Sequence, residues 1–130
     1  MTADFESECD RLSQAVDGVQ FERIRWARTE APMLERLVEL AQATVAERSD
    51  IELVDEGSLG ALRRFVLKVH SVRIVAVNLG LEGRTVSVWA EEIARSQYKL
   101  VDPQRRSAAY EEVDEQWMTG AIRRVFSEIG

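Results

Sequence analysis

The side chains able to do chemistry are few in this chain, and their spacing limits them further. His70 is the single histidine, so a Ser-His-Asp or Cys-His relay would have to run through it. It falls in the dipeptide His70-Ser71, between two apolar segments that read as strands. An exposed turn residue is expected there rather than a general base. One histidine excludes a His-rich metal centre, and the lone Cys9 excludes an intrachain disulfide and a cysteine zinc cluster. Cys9 lies on an apolar helical stripe and is expected to be a buried structural thiol. Carboxylates are plentiful, but Glu91-Glu92 and Asp102 follow strand ends, where neighbours point apart into solvent. Glu111, Glu112, Asp114 and Glu115 stand where a helix begins and complement its dipole, as Arg123-Arg124 does near its end. No loop has the ligand spacing of a calcium site. The glycine pairs Gly57/Gly60 and Gly80/Gly83 do not open a helix as a phosphate loop must. No cofactor or metal is expected.

Two stretches carry a sharper suggestion. Gln97-Tyr98-Lys99, expected on a short strand from Tyr98 to Val101, resembles the strand-borne lysine pattern of some magnesium-dependent nucleases. That pattern also needs an aspartate at a neighbouring strand end, and no aspartate occurs between Asp55 and Asp102. Arg23-Ile24-Arg25-Trp26-Ala27-Arg28 is the most basic run and includes an aromatic, a combination that can hold phosphates and stack a base. Glu22 and Glu30 flank it, which favours a salt-bridged helix or connector. A net charge of −6 also opposes nucleic-acid binding through the whole surface.

The elements that must position these residues centre on Arg64 to Ala90. As one strand, Arg64 to Asn78 would place Phe65, Leu67 and Val69 on the same face as Ser71 and Arg73. A two-residue turn at His70-Ser71 removes the conflict and sets Val69 against Val72, Leu67 against Ile74 and Phe65 against Ala76. The glycines of Asn78 to Gly83 predict a second hairpin, with Ala76 against Val86, Ile74 against Val88 and Val72 against Ala90. The opposite face then collects Lys68, Arg73 and Trp89 in one row, with Val66, Val75 and Val77 beside it, a face that is either free to bind or covered by part of the first or second helix as a second layer. A cation–π contact between Arg73 and Trp89 is expected in that row.

Around this sheet, Phe5, Cys9, Leu12 and Val16 recur at helical spacing and predict a first helix over about Ala3 to Asp17. Residues 19–29 fit neither the helical nor the strand period. A second helix is predicted from Ala31 to Arg48, with Leu34, Leu37, Val38, Ala41 and Val45 inward. Ile51 to Val54 reads as a short strand and Gln104 to Tyr110 as a surface loop. Asp114 is a good N-cap for the last helix, with Val113 and Met118 as a hydrophobic staple.

The expected fold is therefore α+β: two N-terminal helices, an antiparallel meander of four or five strands, and a C-terminal helix packed on the sheet. At 130 residues the chain suits one domain over residues 1–130. No apolar run is long enough to span a membrane, and the acidic start is unlike a secretory signal, so the expectation is cytoplasmic. The favoured role is a small non-enzymatic interaction domain that binds a protein partner, or itself as a homodimer, through the second sheet face or a helix face. The residues expected to carry that binding are Lys68, Arg73, Val75 and Trp89. In size, acidity and helix-first element order the chain resembles the class I type III secretion chaperones, so a partner-specific chaperone is the alternative. A nuclease-like enzyme ranks third. Co-purification separates the first two, because a chaperone arrives with one unfolded client segment and an adaptor with a folded partner.

Overall fold

The computed structural model describes the backbone from Thr2 to Gly130 and the side chains from Asp4 onward. The chain divides into two compact units, residues 1–33 and 34–130. The first holds α1 (Thr2–Val16), α2 (Gly18–Arg28) and the first turn of α3 (Glu30–Ala43). Residues 19–29, ambiguous by period, are helical to Arg28, with Thr29 as the C-cap. Asp17 caps α2, its carboxylate accepting from the Gln20 backbone N–H at 3.1 Å. The ambiguity has a physical source: Val19, Phe21, Ile24 and Trp26 are spread around the helix, and none of α2 is buried. The stripe on α1 also stays outside. Phe5, Leu12 and Val16 are 68%, 54% and 84% exposed. Cys9 on the same stripe is exposed, which corrects the expectation of a buried thiol.

In the second unit the sheet is an antiparallel meander in the order β1-β2-β3-β4-β5. Its strands are β1 (Ile51–Asp55), β2 (Leu62–Val69), β3 (Val72–Glu82), β4 (Thr85–Glu91) and β5 (Arg106–Ala109). A short 3-10 turn, Tyr110–Glu112, leads into α4 (Glu115–Glu128). The fold is α+β with N-terminal helices, a five-stranded antiparallel sheet and a C-terminal helix, as the pattern implied, with one helix more than expected. Asp114 caps α4 by accepting from the Trp117 N–H at 2.8 Å, and the staple pair Val113 and Met118 is fully buried.

The first hairpin turns at His70-Ser71. Both residues have positive φ, 48° and 64°, the requirement of the tight turn that matches strand twist. Val69 pairs with Val72 and Lys68 with Arg73, as the pattern predicts. The register then shifts between Leu67 and Lys68, so that Leu67 meets Val75 and Ile74 has no partner. This bulge reverses the phase of β3. Val75 and Val77 join Phe65 and Leu67 on one face, while Ala76 and Asn78 turn to the other. The second hairpin differs as well. Its turn is Gly83-Arg84, with Gly83 at φ 61°, and it pairs Glu82 with Thr85, Leu79 with Val88 and Val77 with Ala90. Leu79 and Gly80, expected in the loop, lengthen β3 instead.

The resulting inner face combines Leu53, Phe65, Leu67, Val75, Val77, Leu79, Leu81, Val86 and Val88, each no more than 5% exposed. Met118, Ala121, Ile122 and Val125 of α4 cover its β4 side. Leu34, Leu37 and Ala41 of α3 are buried with it, and Gln42 Nε2 donates to the Leu53 carbonyl at 2.8 Å. Gln104 to Tyr110 is not all loop: Arg106–Ala109 forms β5 along the free edge of β4. Conversely, Tyr98 to Val101 is not a strand, and only an isolated bridge joins Leu100 to Ile129.

Candidate functional site on the second sheet face

The face turned away from α4 is built by alternation. Strand side chains switch sides at every residue, so placing Phe65, Leu67, Val77 and Val88 inside sends Arg64, Val66, Lys68, Asn78 and Trp89 to the other face, where Val66, Ala76 and Asn78 are themselves fully buried. Of the four residues expected to form a binding row, three share this face: Lys68, Arg73 and Trp89. Val75 does not. The bulge at Ile74 sends it into the core, where it is fully buried against Leu67, so its place in the row is corrected. The sequence allowed the error because Ile74-Val75-Ala76-Val77 is apolar in both phases.

The three remaining residues are not in one row either. Lys68 and Arg73 are paired beside the hairpin turn, whereas Trp89 lies opposite Asn78. Asn78 is five steps along β3 from Arg73, roughly 16 Å at strand rise. The expected Arg73–Trp89 contact is therefore absent. Arg73 reaches across β2 to Glu56, Nη1 to Oε2 at 2.6 Å. That hydrogen bond, followed by the positive charges of Arg73, Lys68 and Arg64, holds the Glu56 carboxyl below its usual value.

Trp89 finds a different cation. Arg105 stands with its guanidinium carbon 3.9 Å from the ring centroid. Arg105 is brought there from both sides. Glu128, buried at the end of α4, accepts from the Gln104 backbone N–H at 2.8 Å, and β5 pairing begins at Arg106. The far edge of the ring lies against the bare backbone of Gly80, where a Cβ would come within 3.2 Å of Cζ3. A side chain at position 80 would require the ring to give by a few tenths of an ångström. The partly buried indole thus forms the floor of a groove whose walls include Leu59, Leu62, Gly80 and Arg105. Leu59 is 81% exposed at its mouth.

Next to Trp89, Asn78 is completely buried. Its Nδ2 donates to the Glu91 carboxylate, and its Oδ1 has no hydrogen-bond partner among the described residues. Ser87 and Ser107 share a hydrogen bond of 2.8 Å across β4 and β5. Cations on this face without an ion pair among the described residues are Arg64, Lys68 and Arg105. A flat aromatic beside aliphatic walls, with cations at its margin, suits holding a side chain.

Other sequence candidates lie apart from it. His70 is an exposed turn residue. Lys99 stands on an irregular segment 3.8 Å from Glu92, so the strand context of the nuclease-like pattern is missing. Arg25 in the basic run is bound by Glu22 and Glu30 at 3.0 and 2.9 Å, the salt-bridged helix that was favoured. Arg105 and Leu59 were missed. The usable signal was Gly80, since an isolated glycine inside a strand marks a close approach. No protein-family model matches the chain, and no curated protein or solved structure does either.

Proposed function

We propose that the second unit is a non-enzymatic protein-binding domain that takes a partner's side chains in the groove beside Trp89, the accessible end of its second sheet face. The observation that carries this reading is the Trp89 ring, partly buried, laid on Gly80 and stacked by Arg105 beside the exposed Leu59. Tryptophan and arginine dominate interface energetics because they bury large area with few rotors to order. Each is already held in place here, which lowers the ordering cost of binding. Charge on this face is mixed: Arg64, Lys68 and Arg105 share it with Glu52, Glu82 and Glu91, so the groove suits a partner with an apolar or aromatic anchor and polar neighbours. Lys68 and Arg73 act at the margin of such a contact, Arg73 less because Glu56 occupies it. No helix among the described residues is long and apolar enough to cross a membrane.

The test is Trp89→Ala in the full chain, with a partner captured from source cells and then purified for calorimetry. Loss of at least about 2 kcal/mol of affinity, or roughly 30-fold, is expected with the thermal melt preserved. An unchanged affinity, or a variant that unfolds, refutes the reading.

A further inference from the structure

We infer that α1 and α2 form a helical hairpin through which two copies of this chain associate, a surface separate from the sheet face. Phe5, Cys9, Leu12 and Val16 follow spacings of four, three and four residues, the d-a-d-a order of a coiled-coil seam. Such a seam exists to be covered, and here it is open: Phe5, Leu12 and Val16 are 68%, 54% and 84% exposed. Val19 and Ile24 of α2 add further apolar surface at 66% and 49%. The three α1 side chains lie on one stripe, whereas Val19 and Ile24 sit on different sides of α2.

Charge identifies a second copy as the occupant. α1 carries four carboxylates, Asp4, Glu6, Glu8 and Asp10, against one Arg11. α2 carries Arg23, Arg25 and Arg28 against one Glu22. Ion pairs within the unit stay local: Arg11 with Glu8, and Arg25 with Glu22 and Glu30. Among the described residues none joins α1 to α2, so Glu6, Asp10, Arg23 and Arg28 have no ionic partner. A symmetric dimer requires a patch complementary to itself. An apolar seam bordered by acid on one helix and base on the next meets that requirement when α1 of one copy lies beside α2 of the other. The product is a four-helix bundle of two hairpins.

Sedimentation equilibrium of the full chain, at low and high salt, tests this. A dimer that weakens with salt is expected. Leu12→Glu with Val16→Glu should raise its dissociation constant by roughly 30-fold or more. Both residues are exposed in the single chain, so the far-UV spectrum and melt of the diluted protein should be unchanged. Arg23→Glu with Arg28→Glu should also weaken the dimer, and adding Glu6→Arg with Asp10→Arg should restore it. Cys9 gives an independent readout, because dimerisation covers the seam. Its alkylation by a maleimide should slow as protein concentration passes the dissociation constant. A chain that stays monomeric, a dimer indifferent to Leu12→Glu with Val16→Glu, failure of the charge reversal, or a concentration-independent Cys9 rate each overturns the proposal.

Discussion

Ser71→Gly should stabilise this protein, an uncommon result for a single substitution. His70 and Ser71 form the two-residue turn between β2 and β3, with φ of 48° and 64°. A residue with a Cβ gives up roughly 1–2 kcal/mol in that left-handed region. Glycine does not, but it loses roughly 0.5–1 kcal/mol more chain entropy on folding than a substituted residue. The difference is a net gain of about 0.5–1 kcal/mol for Ser71→Gly, a little larger with His70→Asn alongside. Both side chains are exposed, and the backbone bond from the His70 N–H to the Asp50 carbonyl, 2.8 Å, survives either change. In urea the unfolding midpoint should rise with its slope unchanged, and the melting temperature should rise by about 2–5 °C. Gly83→Ala is the reciprocal arm. Its φ is 61° and nothing lies within 4 Å of the added Cβ, so any loss, about 1 kcal/mol, is conformational. A lower midpoint for Ser71→Gly would refute the left-handed turn, and with it the assignment of His70 and Ser71 as its two central residues.

Leu67→Ala, which empties a site 2% exposed opposite Val75, should cost about 2–5 kcal/mol; a loss under about 1 kcal/mol in a folded variant would contradict the register. Acid unfolding should show the Glu56–Arg73 contact. The folded carboxyl titrates below its usual 4.5, so its contribution is complete above that pH and is lost as pH falls through the lower folded value. Glu56→Gln should therefore flatten the stability curve below about pH 4.5 and leave the neutral-pH slope alone; an unchanged acid limb would show that the contact is not maintained.

Periodicity made the fold legible where one face was apolar and the other was not. Asp114 with Val113 and Met118 announced α4, and Leu34, Leu37 and Ala41 announced α3. The turn at His70-Ser71 followed from a phase conflict and not from favourable turn residues. The same logic failed one turn later. Ile74-Val75-Ala76-Val77 fits either phase, so nothing in the pattern could reveal the bulge. The three strands then agreed with one another in a register that does not form. The binding face suffered accordingly: Lys68, Arg73 and Trp89 fell on one side, Val75 went to the core, and the cation over Trp89 came from position 105. That last contact depends on β5, whose Arg106–Ala109 has no alternation to read. On α1 the stripe was legible and its environment was not, because a seam looks the same whether its cover comes from its own chain or another.

The hydrogen bond from Gln42 to Leu53 has a consequence for how this sheet behaves in a crowded solution. The bonds at Asp50–His70 and Glu56–Arg64 turn the even-numbered groups of β1 toward β2. In an antiparallel ladder the groups at alternate positions point the other way, so the Leu53 carbonyl faces the open edge. There it is the central acceptor that an incoming strand would use. The Gln42 amide occupies it at 2.8 Å. An edge so plugged is a poor template for further strands, which protects the chain against fibril-like growth. Gln42→Leu would unplug it, and the variant should form thioflavin-positive aggregate on mild heating while the wild type stays clear.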